Sequence, residues 1–174
     1  HLPAARREEL RHAELYPPRS AGRAMTTRFS ALDEKMTAQE AIDSLREAGL
    51  EVSEGAYGLE TAFSAEFGSE DRPCVALLAE YDALPGIGHA CGHNLIATSG
   101  VATGLALAEV LGEGDGTIVV LGTPAEERDG GKADLIRNGA FEGVDAALMM
   151  HPGGQSPQMP PGSVRVRAKP NALH

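Results

Sequence analysis

The chain has 174 residues, enough for one domain with a substantial core, and 42% hydrophobic with 23% charged residues is ordinary for a soluble globular protein. A net charge of −10 argues against a nucleic-acid-binding face, and no stretch approaches the ~18 apolar residues of a membrane-crossing helix. Two cysteines, Cys74 and Cys91, are too few for a disulfide scaffold, so a reducing, cytoplasmic setting is the default.

Residues 1–30 carry six Arg against three Glu and little apolar periodicity, and Pro17, Pro18 and Gly22 break any helix begun over 6–15. They read as a weakly ordered arm. An amphipathic helix follows over 37–48, with Ala38, Ala41, Ile42, Leu45 and Ala48 at helical spacing, a Thr37–Glu40 capping box and Gly49 as its stop. Residues 60–67 alternate like an exposed strand, and 74–79 form a continuous apolar run, the pattern of a buried strand. After a long loop over 80–93, Asn94 is placed to cap a helix reaching Leu111, with Leu95, Val101, Leu105, Ala108 and Leu111 toward the core. Residues 117–121 and 145–150 read as two further buried strands, 131–138 as a short helix ended by Gly139, and 164–166 as a fourth buried strand. The alternation predicts an α/β sheet with helices on both faces.

Every potential metal ligand of interest falls just after one of these strands. Cys91 and His93 follow the strand at 74–79, Glu126 and Glu127 follow 117–121, and His151 follows 145–150. Ligand sites of open α/β sheets lie at the carboxyl ends of strands, so three segments should converge on one edge. Thiolate, imidazole and carboxylate all suit zinc, and a catalytic zinc keeps a position open for water. Glu126 and Glu127 can divide the work, one ligating and one accepting the proton of that water, if an extended segment turns them in different directions. Each piece alone has a commoner explanation: Cys91 as a small buried hydrophobe, Glu126–Glu127 as a solvated loop, His151–Pro152 as a turn. Their joint placement is what points to a site. His89 is a weaker candidate, and Cys74 reads as core.

The stretch Ala79-Glu80-Tyr81-Asp82-Ala83-Leu84-Pro85, followed by Gly88-His89-Ala90-Cys91-Gly92-His93-Asn94, resembles the metal-dependent aminoacylase and carboxypeptidase superfamily. It looks most like the amidohydrolase branch of aminobenzoyl-glutamate, auxin-conjugate and hippurate hydrolases. Pro124-Ala125-Glu126-Glu127 and Met150-His151-Pro152 match that branch's next two motifs in order. The resemblance covers roughly residues 33–160 and implies a zinc-peptidase-like three-layer α/β domain, with a mixed, mostly parallel sheet incomplete on its C-terminal side. It implies Cys91, His93, Glu127 and His151 as ligands of one or two divalent ions, zinc or manganese. Glu126 would be the general base and Asp82 a supporting carboxylate. The implied reaction is hydrolysis of an amide in an N-acyl amino acid, short peptide or aminobenzoyl-glutamate-like conjugate. Other branches carry a His where Glu80 stands. Family members are more than twice as long, with a lid domain used in dimerisation and a late His ligand. The expectation is therefore a partial catalytic domain over 31–174 without the lid, and a homo-oligomer in the full-length form.

Two rival readings remain. One is a metal-binding or interaction fragment without turnover. The other is a nucleotide-binding domain built on Gly86, Gly88 and Gly92, against which the long 79–94 loop and the side chains of Cys91 and His93 both weigh.

Overall fold

A computed structural model describes residues 36–68, 73–112 and 114–153, with isolated positions 11, 15 and 17. The expected strand at 164–166, and the arm at 1–30 apart from those three positions, lie outside the described residues.

The first full element among the described residues is helix α1 (Ala38–Glu47), whose capping box forms as the sequence predicts. Thr37 accepts from the Glu40 backbone N–H while the Glu40 side chain accepts from the Thr37 N–H. Strand β1 (Glu51–Glu54), a single 3-10 turn (Ala56–Gly58), β2 (Phe63–Gly68) and β3 (Cys74–Glu80) follow. Helix α2 (His93–Val110) leads to β4 (Thr117–Thr123). The helical turn α3 (Glu126–Asp129), helix α4 (Gly131–Arg137) and β5 (Ala146–Leu148) complete the series. No helix among the described residues is long and apolar enough to cross a membrane.

The five strands form one mixed sheet in the order β1-β2-β4-β3-β5. β3 pairs in parallel with β4 and with β5, while β1–β2 and β2–β4 are antiparallel. The parallel half matters for function, because the carboxyl ends of β3, β4 and β5 all reach the same edge of the sheet. Helices lie on both faces. On one face, Leu77, Ala79 and Val120 pack with Ile42 and Leu45 of α1 and Val101 and Leu105 of α2. On the other, Ala76, Val119 and Leu121 meet Tyr57, Phe141 and Val144, and Leu135 anchors α4 against Ala62 and Ala140.

α2 can lie close on the sheet because Gly104 has no side chain. A Cβ there would come within 2.4 Å of Val120 Cγ2. Alanine favours a helix over glycine by about 1 kcal/mol, but crowding a stiff β-branched neighbour in a packed core costs about 1–3 kcal/mol. Gly104→Ala is therefore expected to lower stability despite its better helix propensity, which urea unfolding will show. Leu45 is fully buried between the helices and the sheet. Leu45→Ala should cost about 2–5 kcal/mol by the same measurement.

Several elements differ from the sequence expectation. β1 has no apolar alternation to reveal it; it is a short, largely exposed edge strand held by its ladder to β2. β2 begins at Phe63 rather than 60, because Glu60 and Thr61 are spent on a turn. α2 starts two residues early. Its N-cap is Gly92 at φ 78°, and the N–H groups of Leu95 and Ile96 donate to the Gly92 carbonyl, so Asn94 does not cap it. Burial of His93 draws the first turn inward, which puts Ile96 in the core and leaves Leu95 54% exposed. β5 is shorter than expected and exposed along its length, since among the described residues it pairs only with β3.

Candidate metal centre

The site is built from three loops at the carboxyl ends of the parallel strands. The chain leaves β3 through Glu80, Tyr81 and Asp82. Tyr81 fastens this exit, stacking on Phe63 with ring centroids 6.1 Å apart and donating its hydroxyl to the Thr61 carbonyl. Burial pushes that hydroxyl well above the ordinary tyrosine range, so it stays a donor. Glu80 and Asp82 are two residues apart and both turn toward His93, the first residue of α2.

His93 is the centre of the cluster and only 1% exposed. Its Nδ1 faces the Asp82 backbone carbonyl at 2.9 Å and Asp82 Oδ1 at 3.1 Å. Two acceptors on that side fix the proton on Nδ1 and direct Nε2 the other way, the arrangement that orients a ligating imidazole. Nε2 looks onto Glu80 Oε2 at 3.3 Å, Glu127 Oε1 at 3.7 Å and Glu126 Oε2 at 4.0 Å.

Glu126 and Glu127 arrive through a tight turn after β4. Ala125 takes a left-handed φ of 57°, unusual for a residue with a Cβ, and starts the single helical turn α3. The pair is helical rather than extended, contrary to the expectation; successive helical residues still diverge by about 100°. The Glu127 N–H donates to Asp82 Oδ2 at 3.2 Å, so Asp82 ties the β3 loop to the β4 loop. Partial burial raises the Asp82 pKa, but the Glu127 and Glu126 backbone N–H groups and His93 outweigh that and hold it below the ordinary carboxylate range.

His151 comes from the loop after β5. Gly92 makes room for that loop, since a Cβ at this position would meet Pro152 Cγ at 2.8 Å. Ligand atoms of Glu80, His93 and His151 lie within 4.8 Å of one another, as do those of His93, Glu126 and Glu127. Cys91 belongs to neither group. Its thiol lies against Glu127, and that hydrogen bond, burial and the surrounding carboxylates hold the thiol pKa above its usual value. His89 is exposed in the loop, and Cys74 is partly buried at the other end of β3.

Of the residues singled out from sequence, Asp82, His93, Glu126, Glu127 and His151 are thus brought together, with Cys91 at the margin beside Glu127. Sequence reasoning missed two members. Glu80 is 2% exposed, and Lys132 donates to its Oε1 and stands 3.8 Å from Glu126 Oε1. Both left signals: a charge ending an apolar run, and a basic residue in a first helical turn, where the helix dipole disfavours it.

The donor set fits a divalent cation. Nε2 and three carboxylate oxygens converge with lone pairs facing one another, a costly arrangement that a positive ion relieves. The geometry does not suit a dinucleotide. Gly86 lies in a turn closed between Leu84 and Gly88, and buried His93 stands at the N-terminus of α2 where phosphate would need bare backbone.

Comparison with known proteins agrees. The profile of peptidase family M20/M25/M40 matches residues 76–169, more than half of the chain. Over 137 residues the chain is 45% identical to the Xaa-Arg dipeptidase of Homo sapiens, covering 68% of this chain and 31% of that protein. It is 38% identical over 146 residues to a p-aminobenzoyl-glutamate hydrolase polypeptide of Escherichia coli strain K12, covering 72% of this chain and 29% of that one. A solved Bacillus subtilis structure, described as a dinuclear metal binding peptidase from the M20 family, superposes with a TM-score of 0.56 at 31% identity. That match covers 63% of this chain and 34% of the other. The chain spans about a third or less of these relatives. Since the profile takes in most of β3, all of β4 and β5 and the loops that build the cluster, the chain belongs to peptidase family M20/M25/M40.

Proposed function

We propose that this chain carries the hydrolytic metal centre of an amidohydrolase acting on N-acyl amino acids, short peptides or aminobenzoyl-glutamate-like conjugates. The observation that carries the reading is the convergence of buried His93 with Glu126 and Glu127, and with Glu80 and His151, at one sheet edge. The amide-cleaving activities named for the dipeptidase and the aminobenzoyl-glutamate hydrolase support the substrate class.

On this reading His93, Glu127, His151 and Cys91 hold one or two divalent ions, zinc or manganese. The bound ion supplies Lewis acidity, polarising the amide carbonyl and bringing the pKa of a water down toward ~7. Glu126 would be the base that accepts a proton from the attacking water and returns it to the leaving amine. Its partly exposed position suits this task, since it must reach both the water and the substrate. Asp82 holds His93 through Nδ1 and Glu127 through its N–H, so two ligands keep one relative orientation. Cys91 must lose its thiol proton to ligate, so metal uptake releases a proton at that residue. Residues 31–174 are assigned to part of the catalytic domain. The proposal places the full-length protein in the cytoplasm, as a homo-oligomer acting on a small amide substrate without nucleic-acid or membrane partners; the acidic balance supports the exclusion of nucleic acid, and the two free cysteines support a reducing compartment.

Elemental analysis of the purified protein, beside a Cys91→Ala/His93→Ala variant, tests the centre. One or two ions per chain, lost in the variant, are expected, followed by hydrolysis in a panel of N-acyl amino acids. A protein that stays metal-free when supplied with zinc or manganese overturns the reading. Cys91→Ala alone should weaken metal binding while leaving the unfolding midpoint of the metal-free protein unchanged. Unaltered metal affinity would return Cys91 to a packing role.

A further inference from the structure

Lys132 is the feature of the cluster that ligand chemistry leaves unexplained. A cation beside a metal site opposes metal binding through its charge, yet this one is firmly built in. Gly131 seats the turn before it: its N–H donates to the Ala125 carbonyl at 3.0 Å, and a Cβ there would meet the Pro124 carbonyl oxygen at 2.1 Å. Leu135, three residues on, is 1% exposed and locks α4 against Ala62 and Ala140. The backbone on either side of Lys132 is thus fixed within one helical turn, and the lysine side chain is 26% exposed.

Its two partners are unequal. Glu80 is 2% exposed and would be a costly buried charge without a counter-ion. Glu126 is at the rim, 3.8 Å away through Oε1, while its other oxygen, Oε2, faces His93 Nε2 at 4.0 Å. One oxygen of Glu126 is therefore directed to Lys132, and the other is left toward the point where the ligand atoms meet.

We propose that Lys132 is the built-in counter-cation and positioning residue of this centre: it neutralises Glu80 and holds Glu126 by one oxygen, leaving the other free to accept a proton. The assignment rests on the amidohydrolase reading for the role of Glu126, but the charge balance can be tested without it. With Glu80 paired to Lys132, the ion is left to the remaining ligands.

The experiment compares the parent with Lys132→Met, Lys132→Arg and the Glu80→Gln/Lys132→Met double variant. The double variant guards against misfolding, because no buried charge is left unpaired. Zinc affinity is read by competition with a chromophoric chelator, and kcat and KM by hydrolysis of an N-acyl amino acid. In Lys132→Met, kcat should fall about 10–100-fold with KM within about threefold, the usual cost of losing an outer partner. Zinc should bind more tightly, because the cluster has lost a competing positive charge. Lys132→Arg should recover most of kcat. In the double variant kcat should stay low even though the fold is balanced. Recovery of the parent kcat in the double variant would show that Lys132 serves only to balance Glu80, and would overturn the positioning role. Weaker zinc binding in Lys132→Met would overturn the counter-cation. If the parent binds zinc but cleaves no amide, the amidohydrolase reading fails by itself. The zinc comparison then decides: tighter binding in Lys132→Met upholds the counter-cation, and equal or weaker binding rejects it.

Discussion

Glu126→Gln is expected to abolish amide hydrolysis, lowering kcat by roughly 10²–10⁴-fold, while bound metal stays near the parent level. Glutamine keeps the size of the side chain, and its amide can still stand near Lys132. What it cannot do is take a proton from water. Because Glu126 is the more distant of the two turn carboxylates from His93 Nε2, 4.0 Å against 3.7 Å for Glu127, loss of its charge should disturb the ligand set less. Steady-state kinetics and elemental analysis on one preparation check both halves. A variant that loses its metal with its activity would exchange the roles of Glu126 and Glu127. A variant that keeps the parent kcat would remove Glu126 from the chemistry.

The second large effect is expected at His93. His93→Ala removes the imidazole on which every carboxylate of the cluster converges. Metal affinity should fall by more than the roughly 10–100-fold that loss of an outer partner costs, since here the ligand itself is gone. The fold should suffer as well, because a fully buried side chain leaves a cavity, and the Asp82 carbonyl and one Glu80 oxygen lose the group that faces them. Calorimetric titration with zinc reads the first effect, and urea unfolding of the metal-free protein reads the second. Asp82→Asn gives the contrast: an amide oxygen there can still accept from Nδ1, so metal binding should weaken less than in His93→Ala. Equal losses in the two variants would make Asp82 as necessary to the ion as the ligand it orients.

The chain alone was enough to locate the loops that make the site. Short apolar runs at 74–79 and 117–121, each bounded by polar turns, fit buried strands, and the expected ligands lie in the segments that follow them, so parallel pairing brings those segments to one edge. The capping box of α1 was equally plain, because Thr37 and Glu40 satisfy each other within three residues. These features are local, and local pattern carries them. The tertiary structure decided what depends on distant partners. Glu80 is a buried member of the cluster because Lys132, 52 residues away in sequence, reaches it, and nothing near Glu80 in the chain announces that pairing. The start of α2 at Gly92 follows from the burial of His93 and the approach of Pro152, not from the cap chemistry of Asn94. The exposure of β5 follows from its place beside β3 at the sheet edge, although its sequence is as apolar as a core strand. Apolar periodicity reports which residues can be buried. Which of them are, and which charges can be buried with them, is fixed only when the neighbouring elements supply cover and counter-charge.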